Sequence, residues 1–470
     1  MTMTELLSVF LIALSISACE KETPVTPIPD TDGEDTTKVI AEYTHHTDWT
    51  YNLSMYEVNT RQYTKEGTFK AFEQHLSRLK EMGSGILWFM PIQPIGEENR
   101  LGSLGSYYSV QDYKSINPEF GTMSDFKELV DEIHNKEMYI IIDWVANHTS
   151  WDNVLTETNP EFYVQDADGN FTPPPGTNWT DVIELDYAND SLKSYMIDAL
   201  KYWITETGID GFRFDAVDFV PGSFWAEVTK ELKEFKPDIF MLAEGQGVKY
   251  HTMGFDMDYS WDLYGWGSGL MRRIYEGSAN VSDMDAFLVA ETKNYIPENY
   301  RLYFTSNHDE NSWEGTVYEQ LGVSAEVFAV ISQTLYGMPL VYSGQESGLN
   351  KRLQFFDKDE ILWDNLPLES FYSKLQNLKL TNSALWNGEK GGIPVRLNSS
   401  NDEAIFAFQR KTEDNSIIVL TNLTNKSVET AVLSEDSFGE YSNLFTNENI
   451  ELNANTTFNL DAWDYVVIHK

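Results

Sequence analysis

The chain has 470 residues, with 33 basic and 74 acidic side chains and a formal net charge of −41. A polyanion of this kind repels phosphate, which excludes nucleic acid and anionic membrane surfaces as partners. The length calls for one large domain with one or two lesser ones, and the single cysteine, Cys19, excludes an internal disulfide. Aromatic residues make up 14% of the chain, enough to supply exposed rings on which sugar faces stack as well as a core.

Residues 6–18, LLSVFLIALSISA, form an apolar run too short to span a bilayer and ending in small residues, as a signal peptide does. Ile16-Ser17-Ala18-Cys19 resembles the bacterial lipobox, which implies a signal peptide over 1–19, lipidation of Cys19 and an extracytoplasmic, lipid-anchored protein. Glu5 stands where that pattern has a basic residue. Residues 20–42 are rich in Pro, Thr and acids and read as a solvated tether. No later stretch is long and apolar enough for a membrane helix.

From Trp49 the texture changes to alternating strands and helices. SMYEVNTRQY is a first strand with its loop, FKAFEQHLSRLKEMG an amphipathic helix ending at Gly83, and GILWFMPI a second strand. The helix-like MSDFKELVDEIHNKEM leads to a third strand, YIIIDWVANH. Residues 208–244 hold a fourth and a fifth strand around a helical run containing Phe224, Val228, Leu232 and Phe235. The sixth falls near GFDMDYSW, and RLYFTSNHDE and PLVYSGQESG supply the seventh and eighth. This alternation predicts a (β/α)8 TIM barrel over 43–381. Residues 149–185, with Pro173, Pro174 and Pro175, are too long for a barrel loop and predict a short protruding B domain after strand three. From 382 to 470 short alternating strands predict a C-terminal antiparallel β-sandwich.

Polar clusters stand at the ends of strands three, four, five and seven: Asp143-Trp-Val-Ala-Asn147-His148, Gly211-Phe-Arg213-Phe-Asp215, Glu244 and Asn307-His308-Asp309. In order and strand position they resemble the sequence regions of the α-amylase family of glycoside hydrolases (family 13). LGSYYSVQDYKSINPEFGT resembles that family's loop after strand two and SGQES its strand-eight signature, so the resemblance spans residues 50–345. With the lipobox, it implies the lipoprotein form of Bacteroidetes-type glycan-degrading bacteria.

A retaining glycosidase sets a carboxylate nucleophile and a protonated acid about 5–5.5 Å apart. Arg213 lies two residues before Asp215 and shares its strand face, so it is expected to keep Asp215 ionised as the nucleophile. Glu244 follows the apolar Met241, Leu242 and Ala243 and is expected to be the acid, its pKa raised by desolvation. The resemblance implies the same roles, and makes Asp309 the transition-state stabiliser, His148 and His308 hydrogen-bond donors to the innermost sugar, and Tyr108 the ring that stacks on it. It implies an α-glucan substrate and no required cofactor. Asp143 is expected to be structural, pairing with Arg213 or bonding neighbouring backbone, and Trp88 to be barrel core.

A structural calcium would use Asn147. Yet the family's Lys-His pair after the nucleophile is here Asp218 and Phe219, so that signature is incomplete, and VIELDY matches the family's B-domain region loosely. Ala216, where α-1,6-cutting members often have valine, tilts the reading to α-1,4 linkages in starch or maltodextrins. A transglycosylase of the same family and a non-catalytic starch-binding lipoprotein are the alternatives. The oligomeric state is open.

Overall fold

The computed structural model describes residues 46–297 and 299–470; the expected signal peptide, Cys19 and the tether lie outside the described residues. Eight parallel strands close into a barrel: β1 (Met55–Val58), β2 (Ile86–Phe89), β3 (Tyr139–Val145), β4 (Gly211–Asp215), β5 (Phe240–Ala243), β6 (Met257–Tyr259), β7 (Tyr300–Tyr303) and β8 (Gly337–Tyr342). They run in sequence order around the barrel, and β8 returns to pair with β1 through Met55 opposite Leu340. Burial on both faces explains why the strands read as continuous apolar runs. The sixth strand, weakest in the sequence, is only three residues long.

The covering helices bury single stripes. Met123–Asn135 starts at a capping box formed by Thr122 and Asp125 and buries Phe126, Leu129, Val130 and Ile133. Gly222–Phe235 buries Phe224, Trp225, Val228 and Leu232, while Phe235 is exposed. The helix expected over FKAFEQHLSRLKEMG is two helices, Phe69–Glu73 and Leu76–Met82. At the break, His75 sets its ring edge-on to Tyr63, 5.0 Å between centroids, a tertiary contact outside the reach of helical periodicity. The second helix ends as expected at Gly83, whose φ of 99° suits glycine.

The insertion after β3 opens with His148–Ser150, antiparallel to Val182–Glu184, so the loosely matching VIE segment pairs directly with the His148 backbone. The C-terminal region is a six-stranded antiparallel sheet and a two-stranded ribbon, Val428–Ala431 with Thr457–Leu460. The expected sandwich is therefore lopsided. Ile405, Ala407, Ile418 and Leu420 face the ribbon's Phe458 and Leu460, whereas Phe406, Phe408, Ile417 and Val419 join the core of the barrel. Alternation along each strand splits it between two cores.

Arg410 pins this joint. Fully buried, it donates to the carbonyls of Trp386 (2.6 Å), Gly392 (2.7 Å), Leu335 (2.8 Å) and Thr334 (3.2 Å). Arg410→Ala would strand these acceptors and is expected to lower the unfolding free energy by about 3 kcal/mol. A urea midpoint unchanged from the parent would show that the carbonyls find other donors.

Candidate active site

Register assembles the acids. Arg213 and Asp215 are two apart on β4 and share a face, and Asp143 on β3 lies directly beside Arg213. Glu244 follows β5, its amide donating to Phe214 O at 2.9 Å. His308 and Asp309 follow β7. All sit at the carboxyl ends of the strands, where barrel enzymes build their sites.

One guanidinium organises the cluster. Arg213 Nη1 lies 2.9 Å from Asp143 Oδ1 and 3.0 Å from Asp215 Oδ1. Its Nη2 lies 2.9 Å from Glu244 Oε1, an ion pair without hydrogen-bond alignment. The rings of Trp88 and Tyr259 face the cation at 5.2 and 5.9 Å, and Tyr259 Oη accepts from Arg213 Nε. Arg213 is wholly buried, so these groups replace water. Trp88 is core, as expected, and also donates Nε1–H to Asp143 Oδ2 at 3.3 Å.

The electrostatics differ from the sequence expectation. Burial, followed by the neighbouring charge of Glu244, pushes the Asp215 carboxyl well above the usual carboxylate range, with Arg213 pulling the other way. Arg213 is thus outweighed by desolvation and crowding. Burial likewise raises Asp309, and it raises Asp143 to about 6. Glu244 is not in the apolar setting expected for it: Arg213 meets one oxygen, and the Ala216 amide donates to the other at 2.7 Å. Ala216 reaches that position in a left-handed conformation, φ 47°, uncommon for a residue with a Cβ.

A hydrogen-bonded chain backs the acids. His308 Nδ1 lies 2.6 Å from Glu57 Oε1, its Nε2 is 2.7 Å from Tyr108 Oη, and Tyr108 Oη is 3.0 Å from Asp143 Oδ2. Burial pushes Glu57 well up and His308 well down, the direction that favours the neutral form of each. One proton arrangement then satisfies each link: Glu57 O–H donates to Nδ1, Nε2–H donates to Tyr108 Oη, and Tyr108 O–H donates to Asp143. His308 Nε2 also lies 3.3 Å from Asp309 Oδ2. Tyr108 stacks on the His308 ring at 5.3 Å and 20°. Buried His148, whose ring also meets the Tyr108 backbone, takes a hydrogen bond at Nδ1 from Asn147 Nδ2, 3.1 Å away, and packs against Trp179. Burial lowers His148 to about 4.

The structure thus brings Asp215, Glu244, Asp309, Arg213, Tyr108 and His308 into one contact network, with Asp143, and sets His148 on the first strand of the insertion after β3, against the Tyr108 backbone. Sequence reasoning passed over Glu57, whose only signal is a carboxylate inside the apolar run MYEV. It also passed over Glu310, next to Asp309. Buried Glu310 accepts from Gln320 Nε2 at 3.0 Å and from the amide of Trp266, tying the loop after β6 to that after β7. Asn147 donates Nδ2–H to His148 and accepts from the Leu185 amide at its backbone carbonyl, and no group of three or more His, Cys, Asp or Glu among the described residues is placed to hold a metal.

A family model described as the alpha amylase catalytic domain matches residues 29–416. The maltogenic α-amylase of Bacillus acidopullulyticus is 23% identical over 86% of this chain and 70% of its own length. Among solved structures, a noncanonic maltogenic α-amylase from Thermotoga neapolitana superposes with a TM-score of 0.79 at 28% identity, covering 89% of this chain and 98% of its own. An α-amylase from Lactobacillus plantarum superposes with a TM-score of 0.78 at 29% identity, covering 90% and 99%.

Burial raises Glu310 to about 7, whereas an unfolded glutamate titrates near about 4.3. Between these values the folded state holds the extra proton, so this group's stabilisation is full below the lower value and is lost as pH rises through the upper one. Glu310→Gln is expected to remove that contribution, so the melting-temperature difference between parent and variant shifts against the parent from pH 5 to pH 8. A difference constant with pH would contradict the raised Glu310.

Proposed function

Because the chain belongs to the α-amylase family, and is therefore a glycoside hydrolase, we propose that it cleaves α-1,4-glucosidic bonds in starch, maltodextrins or related glucans with retention of the anomer. The observation that carries this reading is Arg213 touching Asp215 and Glu244 at once, which holds two carboxyl groups around one small volume. The α-1,4 preference is supported by relatives named as amylases.

In the first step an Asp215 oxygen bonds the anomeric carbon while the bond to the leaving oxygen breaks, and that oxygen takes the proton of Glu244. In the second, Glu244 takes a proton from water, whose oxygen displaces Asp215 and restores the α anomer. Asp309 lies against the charge that develops on the sugar ring. The proton is a property of the crowded cluster, not of one residue. A sugar at Asp215 brings developing positive charge that favours its ionised form, and leaves Glu244 as the donor to the leaving oxygen. Burial favours the neutral forms of His308 and His148, which line the site without adding charge, and Tyr108 offers a stacking face.

Incubation with soluble starch and maltoheptaose, followed by separation of products by length, tests this. New reducing ends are expected, and Asp215→Asn should lower turnover at least about a thousandfold. Glu244→Gln should spare an α-glucosyl fluoride far more than starch, because fluoride needs less protonation to leave. Equal losses on both would remove Glu244 from the acid role, and products longer than maltoheptaose would favour the transglycosylase. The lipid anchor at Cys19 is proposed alongside. Cys19→Ser is expected to abolish labelling by an alkynyl fatty acid and move the protein out of the membrane fraction; persistent labelling would refute it.

A further inference from the structure

Trp313 is 43% exposed, yet it is rigidly held. It lies in the helical turn Glu310–Glu314 that directly follows Asp309. Arg352 Nη1 donates to its carbonyl at 3.4 Å and Nη2 donates to the next carbonyl, Glu314 O, at 3.2 Å, while Arg352 Nε is fixed by Glu319 Oε2 at 2.8 Å. The ring packs on Phe355 and Phe356, with centroids 5.0 and 5.9 Å away.

These two phenylalanines are anchored in turn. Phe355 O accepts from Arg61 Nη1 at 3.3 Å and Phe356 O accepts from the Leu104 amide at 2.9 Å, which zips the loop after β8 to that after β2. Half-buried Phe355 lies nearly parallel to Tyr108, 6.2 Å between centroids and 8° between planes. Tyr108 stacks on His308, which touches Asp309. A file of rings therefore runs from an exposed indole to the acid cluster. Large exposed aromatics in a fixed setting mark binding grooves, and the C–H faces of pyranose rings are the chemistry that stacks on them.

We propose that Trp313 and Phe355 form an aromatic rail that carries the α-glucan chain onward from the innermost sugar at Tyr108, with Trp313 as the outer platform. This rests on the α-glucan reading above and deepens it. The rail adds affinity for each ring a longer substrate places on it, so it sets chain-length preference without touching the bond that breaks. Phe355 and Tyr108 also brace each other, which makes Trp313 the residue whose removal reports on the rail alone.

Binding is best read where nothing turns over, by calorimetric titration of maltose and maltoheptaose into the full Asp215→Asn protein with and without Trp313→Ala. Trp313→Ala is expected to weaken maltoheptaose about tenfold, the worth of one good stacking contact, and maltose much less. Trp313→Phe should recover most of the loss, and matching melting temperatures should show an intact fold. Equal maltoheptaose affinities with and without Trp313, or the same proportional loss for maltose, would overturn the rail while leaving the α-glucan reading intact. An Asp215→Asn protein that binds neither sugar at millimolar concentration would overturn both.

Discussion

A guanidinium with no exposed surface has to be met by groups that replace its hydration, and Arg213 imposes that requirement on the whole mouth of the barrel. Asp143, Asp215 and Glu244 supply charge, and Trp88, Tyr108 and Tyr259 supply ring faces. One cation cannot neutralise so many acids. Burial favours the neutral form of some of these groups, Glu57 above all, whose second oxygen is buried with no hydrogen-bond partner. The site is thus crowded with carboxyl groups of unequal proton affinity, which is the condition acid–base chemistry on a glycosidic bond requires.

The scaffold was legible because barrel strands advertise themselves. An apolar run that ends abruptly in Asp215, Glu244 or Asn307-His308-Asp309 gives both the strand and the residue at its tip, and those acids and His308 fall into one network for that reason. What escaped depends on neighbours far along the chain. The split at Gln74–His75 sits where His75 meets Tyr63, and the second face of the C-terminal sheet is covered by barrel helices packed against it. Glu57 looked like any strand residue until His308, 251 positions later, closed on it. The proton affinity of Asp215 was misjudged for a related cause: strand spacing reveals the Arg213 beside it, but burial is the work of several loops at once.

Several of the loops at the mouth of the barrel are bound to one another. Glu310 joins the loop after β6 to that after β7, Arg352 joins β7's loop to β8's, and Leu104 joins β2's to β8's. These links string the loops after β6, β7, β8 and β2 together, so the geometry on this side of the acids is set collectively.

Ala216 gives the two central carboxylates a common joint. The amide that holds Glu244 belongs to the peptide leaving Asp215, and it is turned toward Glu244 by a backbone conformation that a side chain disfavours. The two acids are geared: a displacement of the Asp215 backbone is also a displacement of the donor that restrains Glu244. Each carboxylate therefore registers the position of the other through one rigid plane of atoms, with no intervening side chain to absorb the movement.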